Sequence, residues 1–258
     1  MKNIAVIIPV HKYDNSIKEM LLTAINSVPE DKQIYISCPK EISALITIDV
    51  PDNIEIFDNT NNKSFQALVN SAVKELKDIE WFSILEFDDE YTNYWFNEVD
   101  KYIEFYPETS IFLPLTDLIR EIDGQKKFVG YGNEAPLASA FSNELGYIDL
   151  ETLENYFDFY LTGSVINVND YLNNGLLKES MKLTFWYEFM MRLANKNKKI
   201  QVIPKVGYKH LIGRNDSLYA LYNDTLSQKE SEWWYNLAKK EYKHIEDRNK
   251  QYEKEKEK

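Results

Sequence analysis

The chain has 258 residues and a hydrophobic content of 44%, enough for a real core in one large domain or two small ones. Its formal charge of -12 disfavours a nucleic-acid partner, which needs a Lys/Arg surface to neutralise phosphates, but leaves room for a small anion held through a metal. Cys38 is the single cysteine; an intramolecular disulfide and a multi-cysteine zinc site are therefore excluded, and a reducing, cytoplasmic setting is expected.

Residues 4–10, Ile-Ala-Val-Ile-Ile-Pro-Val, read as a buried strand with Pro9 at its exit. The run is too short for a signal peptide or a membrane span, and no later segment approaches one. After a polar loop at 11–15, Ser16 and Glu19 fit a capping box. The helix they open has Ile17, Leu21, Ala24 and Val28 on one face and ends at Pro29. Residues 33–37 and 54–57 read as short strands. A loop of turn formers at 58–63 leads to Ser64, which caps a helix with Phe65, Leu68, Val69, Ala72 and Val73 along one side.

Trp81-Phe82-Ser83-Ile84-Leu85-Glu86-Phe87 then reads as a buried strand that runs into acids: Glu86, Asp88, Asp89 and Glu90. A helix is expected over about 92–106, closed by Pro107, and a strand opens at Ile111. From 117 to 149 the pattern weakens, and Gly124, Gly130, Gly132, Pro136 and Gly146 mark a long irregular insert. A strand-like piece at 161–168, a helix at 183–193 and a strand at 200–204 follow. The chain closes on a charged helix or tail.

Strands alternating with helices predict an α/β fold, a mostly parallel sheet with helices on both faces. Right-handed crossovers place the strand C-termini on one edge, where open parallel sheets bind ligands. The loop after Val10 and the acids after Phe87 share that edge. Carboxylates delivered there suit a divalent metal held against a phosphate; the alternative is an acidic turn in water.

In this order the pieces resemble the GT-A glycosyltransferases, in particular their inverting family two, over roughly residues 3–218. The resemblance rests on Ile7-Ile8-Pro9-Val10-His11-Lys12-Tyr13-Asp14, on Lys63 to Ala72 with Asn70, and on Glu86-Phe87-Asp88-Asp89 in place of an Asp-x-Asp metal motif. It continues through Leu161-Thr162-Gly163-Ser164, Glu188 with Arg192-Leu193, Lys199 to Pro204, and then His210, Arg214 and Ser217. It implies a Rossmann-like GT-A domain over 1–222, with a nucleotide-binding half at about 1–116 and an acceptor half at about 117–222, then a C-terminal helix or tail over 223–258.

The resemblance also implies transfer of a sugar from a nucleotide-diphosphate sugar to a glycan or other hydroxyl acceptor, with inversion and with Mn²⁺ or Mg²⁺. Asp88 is the expected direct metal ligand. Glu86 would act directly, through water or on the ribose, and His210 is a third ligand or a phosphate donor. Pro9, His11, Asp14 and Asn70 would line the nucleotide, and Arg214 would clamp the diphosphate. Asp89 and Glu90 are expected as ligands or as solvated turn residues.

An inverting transfer needs a carboxylate to deprotonate the acceptor. Phe185 and Trp186 stand where the family places an acidic pair, and Glu188 is the nearest acid, with Glu179 behind it. Two other readings share the fold. One is a GT-A protein that binds donor without turnover, favoured by Phe185-Trp186. The other is a nucleotidyltransferase, disfavoured because residues 11–15 lack the glycines of a phosphate-cradling loop. Aromatics between Tyr131 and Tyr160, with Trp186 and Tyr187, are candidates for an acceptor cleft.

Overall fold

The computed structural model describes residues 3–241, except 47, 49–50, 59, 140–143, 157 and 226–227. The chain opens with β1 (Ile4–Pro9), α1 (Asn15–Asn26), β2 (Gln33–Ser37), the short α2 (Lys40–Ser43), β3 (Ile54–Phe57) and α3 (Phe65–Glu75). Then come β4 (Trp81–Ile84), β5 (Glu90–Tyr91), α4 (Trp95–Phe105), and a hairpin of β6 (Thr109–Ile122) and β7 (Gln125–Gly132). A 3-10 turn at Ala135–Leu137, α5 (Leu150–Asn155), β8 (Val165–Asn167), α6 (Val168–Asn173) and α7 (Phe185–Asn195) follow. The long β9 (Lys199–Ile212), α8 (Leu218–Thr225) and α9 (Gln228–Glu241) complete the described chain.

One sheet runs in the order β3-β2-β1-β4-β8-β6-β9-β5, with β7 on β6. Strands β1 to β4 are parallel, β8 is antiparallel to both neighbours, and β6 and β9 are parallel again. Alternation splits the core across the two faces. Ile7, Phe82 and Ile84 pack with α3, α5, α6 and α7. Val6, Ile8 and Leu85 pack with α1 and α4. This is the mostly parallel mixed sheet, helices on both faces, that the sequence predicts.

The order β3-β2-β1 on one side of β1 and β4 on the other makes a topological switch point between β1 and β4, the place where open α/β sheets bind ligands. Neighbouring strands β2 and β3 end at the same edge. There Cys38 donates its N–H to Phe57 at 2.9 Å and is fully buried; burial, then the Asp58 charge, pushes its thiol up to about 12.

Three expectations are corrected. Asp14, not Ser16, caps α1: its carboxylate accepts from the Ile17 N–H at 2.9 Å. The first half of the expected irregular insert, up to Gly132, is a hairpin whose turn, Asp123-Gly124, takes two positive φ angles of 54° and 73°, while the described residues of 133–149 are loop apart from the 3-10 turn. Both faces of the hairpin's outer half lie in water, so no apolar alternation marks it. Strand β4 stops at Ile84, three residues before Phe87, and the acids sit in a turn.

The helix α8 spans the expected boundary at 222, and α9 packs on α7, with Tyr235 and Tyr187 ring centroids 5.3 Å apart. The remainder of the expected tail, 242–258, lies outside the described residues, as do Phe141 and Phe157 of the acceptor-cleft aromatics. No helix among the described residues is long and apolar enough to cross a membrane.

Candidate donor and metal site

The acid turn, residues 86–89, hangs from β4 and is pinned by β9. Leu85 extends the ladder by donating to the Ile7 carbonyl at 3.0 Å. The Glu86 N–H donates to the Tyr208 hydroxyl at 3.0 Å, and the Asp89 N–H closes the turn on the Glu86 carbonyl at 3.1 Å. Tyr208 is fully buried against Gly163, which sits at φ 78°. A Cβ there would come within 2.5 Å of the Tyr208 ring. Gly163→Ala should therefore push Tyr208 and the turn it holds, costing about 1–3 kcal/mol, read as a lower urea midpoint at an unchanged m-value.

Asp89 is buried, although its place in an acidic run suggests a solvated turn. One carboxylate oxygen accepts from the Leu211 N–H at 2.7 Å and the other meets His210 Nδ1 at 2.7 Å. Glu86, Asp89 and His210 each offer a ligand atom within 4.8 Å of the others. The expected direct ligand, Asp88, instead holds Arg214 at 2.6 Å, so the structure brings Asp88 and Arg214 together as an ion pair. Arg214 also forks onto Asp216 at 3.0 and 2.7 Å and lies over the Phe87 ring. Lys12, from the loop after β1, reaches Asp216 at 2.7 Å. The segment after β9 is thereby tied across the switch point.

The electrostatics follow from burial among like charges. Glu86 is pushed up to about 8 by desolvation, with the Asp89 and Asp88 carboxylates adding to it and His210 opposing. Asp88 is raised by the same burial and by Asp89. Burial alone would lower His210, but Asp89 at hydrogen-bond distance, then Glu86 and Asp88, lift it to about 9. Two cations, His210 and Arg214, thus face three carboxylates, and one carboxylate is left to be neutralised by a proton or a further cation. The Glu86 and Asp89 carboxylates suit Mn²⁺ or Mg²⁺, and His210 would join them only as the neutral imidazole, an ion displacing its proton.

His11 lies in the β1 loop with its ring 5.5 Å from Phe87, and burial, then Lys12 and Arg214, lower it to about 4. Pro9 is buried at the end of β1, in register with Ser37. Asp14 faces its own helix as the cap. Asn70 spends all four hydrogen-bonding positions inside the fold: on Leu177 N–H and carbonyl, the Tyr171 hydroxyl and Glu179. It clamps the 177–179 segment to α3.

Glu188 is buried in the first turn of α7. Arg192, one turn on, meets it at 3.0 and 2.9 Å, and Lys178 meets it at 2.8 Å. Arg192 also donates to the carbonyls of Asn174 and Leu176. This ion pair fastens the 174–178 loop to α7 and is separate from the contacts of the acid turn. Phe185 and Trp186 pack on Phe65 at the N-terminus of α3, with centroids 5.7 and 5.2 Å away. Glu179 is exposed and holds Asn62 and Asn70. Tyr160 lies 5.4 Å from His210. Sequence reasoning missed Tyr208 and left Asp89 open between a ligand and a solvated turn residue. The available signal for both was the second β-rich run past Pro204, which is one continuous strand.

No family model matches the chain, and no curated protein sequence matches it. Among solved structures it is similar to residues 1–349 of S. aureus TarS, with a TM-score of 0.56 and 14% identity over 82% of this chain and 60% of that one. The same protein in complex with UDP-GlcNAc gives 0.59 and 14% over 84% of this chain and 60% of that one. The longer S. aureus TarS structure gives 0.57 and 14% over 82% and 37%. The chain thus spans about 60% of the length of TarS 1–349. What this likeness shows is the fold, and the chain has a Rossmann-like GT-A fold.

Proposed function

We propose that the chain is a glycosyltransferase. It takes a sugar from a nucleotide-diphosphate sugar and passes it, with inversion, to the hydroxyl of a glycan or similar acceptor. The observation that carries this reading is the gathering of Glu86, Asp88, Asp89, His210 and Arg214 at the switch point of a GT-A sheet. The TarS complexes with UDP-GlcNAc and UDP support the donor class.

Glu86, Asp89 and His210 would hold a divalent cation, Mn²⁺ or Mg²⁺. When bound, that ion would take up part of the negative charge a leaving diphosphate develops. Arg214 would exchange Asp88 for the diphosphate, where its planar fork meets two oxygens at once. His11, neutral at ordinary pH, would offer a ring nitrogen to the base or ribose. Asp14 and Asn70 would hold the walls rather than the ligand.

The test is a thermal-shift series with UDP, GDP and uridine, each with and without Mn²⁺. A ligand that binds only the folded state raises the melting temperature. A diphosphate shift that needs Mn²⁺ is expected, and Arg214→Ala should remove most of it while sparing uridine. Equal shifts for UDP and uridine in wild type would sink the diphosphate clamp. No shift with any nucleotide would sink the donor site.

A second reading is favoured by one observation, the ion-paired state of Glu188 behind Phe185 and Trp186. In that reading the fold binds donor and does not turn it over. Glu188→Gln keeps the shape of the side chain and removes its charge. Loss of transfer with donor binding retained would support Glu188 as base; equal turnover would move the base to Glu179.

A further inference from the structure

A cleft of about 450 Å³ lies at the β5 edge of the sheet, and its lining includes none of Glu86, Asp88, Asp89, His210 and Arg214. Successive residues of a strand point to opposite faces, so while His210 meets the acid turn, Lys209 lines this cleft. Thr23, Asn26 and Ser27 border it from the last turn of α1, and Asn93 and Tyr94 from the approach to α4. Glu90 stands between Lys209 at 3.7 Å and Lys126 at 3.8 Å, so its charge is compensated. Lys126 belongs to β7 and joins the cleft to the hairpin.

The hairpin adds aromatic surface on the same side. Asp117 is in register with both Tyr131 and Lys209, which places those two on one face. Tyr131 is 48% exposed, Phe128 52% and Tyr94 53%, and the Phe128 and Tyr131 rings lie 4.9 Å apart. Large aromatics left in water beside amides and hydroxyls mark a surface that binds something.

The chemistry selects the ligand. A phosphate or nucleotide calls for uncompensated cations or converging backbone N–H groups, and Glu90 takes up the lysines here. An amphipathic peptide calls for a continuous apolar groove, and amides and hydroxyls interrupt this one. A sugar ring has an apolar C–H face, which stacks on an exposed aromatic ring, and a rim of paired hydroxyls, which suit side-chain amides.

We propose that this cleft, with the Tyr94, Phe128 and Tyr131 rings, is a binding site for a neutral oligosaccharide chain, separate from the donor site. Its place in catalysis, holding a glycan acceptor beyond the point of transfer, rests on the glycosyltransferase reading; the binding itself does not.

The test titrates the full chain with maltohexaose and with chitohexaose, followed by isothermal calorimetry or by NMR line shifts. At least one should bind wild type, and Tyr94→Ala should weaken it about tenfold or more. Asn93→Ala should weaken the same saccharide, with UDP binding and the melting temperature of both variants unchanged. Failure of both saccharides to bind at millimolar concentration, or wild-type affinity in Tyr94→Ala, would overturn the proposal. Saccharide binding that depends on Tyr94 in a chain that ignores every nucleotide would uphold the cleft and remove the donor reading.

Discussion

Glu188→Ala should lower the stability of the protein by about 3–5 kcal/mol, because it strands the guanidinium of Arg192 in a buried position. For a chain of this size that is a fall in melting temperature of roughly 6–20 °C. The reason is the geometry of α7. Arg192 is 8% exposed and grips the Glu188 carboxylate with two nitrogens while also holding two loop carbonyls. Truncating the acid leaves the charge without a counter-ion, and half-exposed Lys178 loses its partner as well. Arg192→Ala should cost a similar amount, and the double variant much less than the sum, since each single change already breaks the pair. Additive losses in a urea-unfolding cycle would show that the two residues act independently. The measurement also bears on catalysis: a carboxylate that fastens a loop is expected to move stability and turnover together, whereas a dedicated base moves turnover alone.

The second large effect separates two neighbouring acids. Asp89→Ala should abolish Mn²⁺-dependent nucleotide binding, and it should also destabilise by about 1–3 kcal/mol by orphaning the Leu211 N–H. Asp88→Ala should leave stability close to wild type, since Arg214 keeps Asp216, and should retain or tighten nucleotide binding, because Arg214 no longer has to give up Asp88 for the diphosphate. Calorimetric titration of UDP with Mn²⁺ into the two variants decides between them. The opposite order, with Asp88→Ala the more damaging to metal-dependent binding, would return the metal to Asp88. The ranking follows from contacts: Asp89 shares a cluster with Glu86 and His210, while Asp88 faces the guanidinium.

Sequence alone carries the first half of the fold well. The strands β1 and β4 are buried on both faces and read as largely apolar runs, β2 buries Ile34 and Ile36 along one face, and α1 and α3 show one apolar side each. Their order is enough to place the acid turn at the switch point. The hairpin of β6 and β7 is illegible by the same logic, because a ribbon wetted on both faces has no inside to mark; its one local sign was Asp123-Gly124. The roles of the acids were half legible. That Glu86 and its neighbours gather at the sheet edge follows from the strand before them. Which acid is buried depends on His210 and Leu211, more than a hundred positions along the chain, and no local pattern encodes that. Glu188 misleads for a related reason: its partner Arg192 lies one helical turn away, a spacing that reads equally as a surface pair or as a buried clamp.

The burial of Cys38 has a practical corollary. The thiolate is the form that reacts, and a thiol pushed up to about 12 behind a closed wall of side chains supplies almost none of it. Maleimide reagents should therefore pass the folded protein by. A single cysteine introduced on the exposed hairpin, or beside Arg214, would be the sole position to take a dye. Fluorescence from that one label would report on the segment tied across the switch point when UDP and Mn²⁺ are added, with the native thiol left in place.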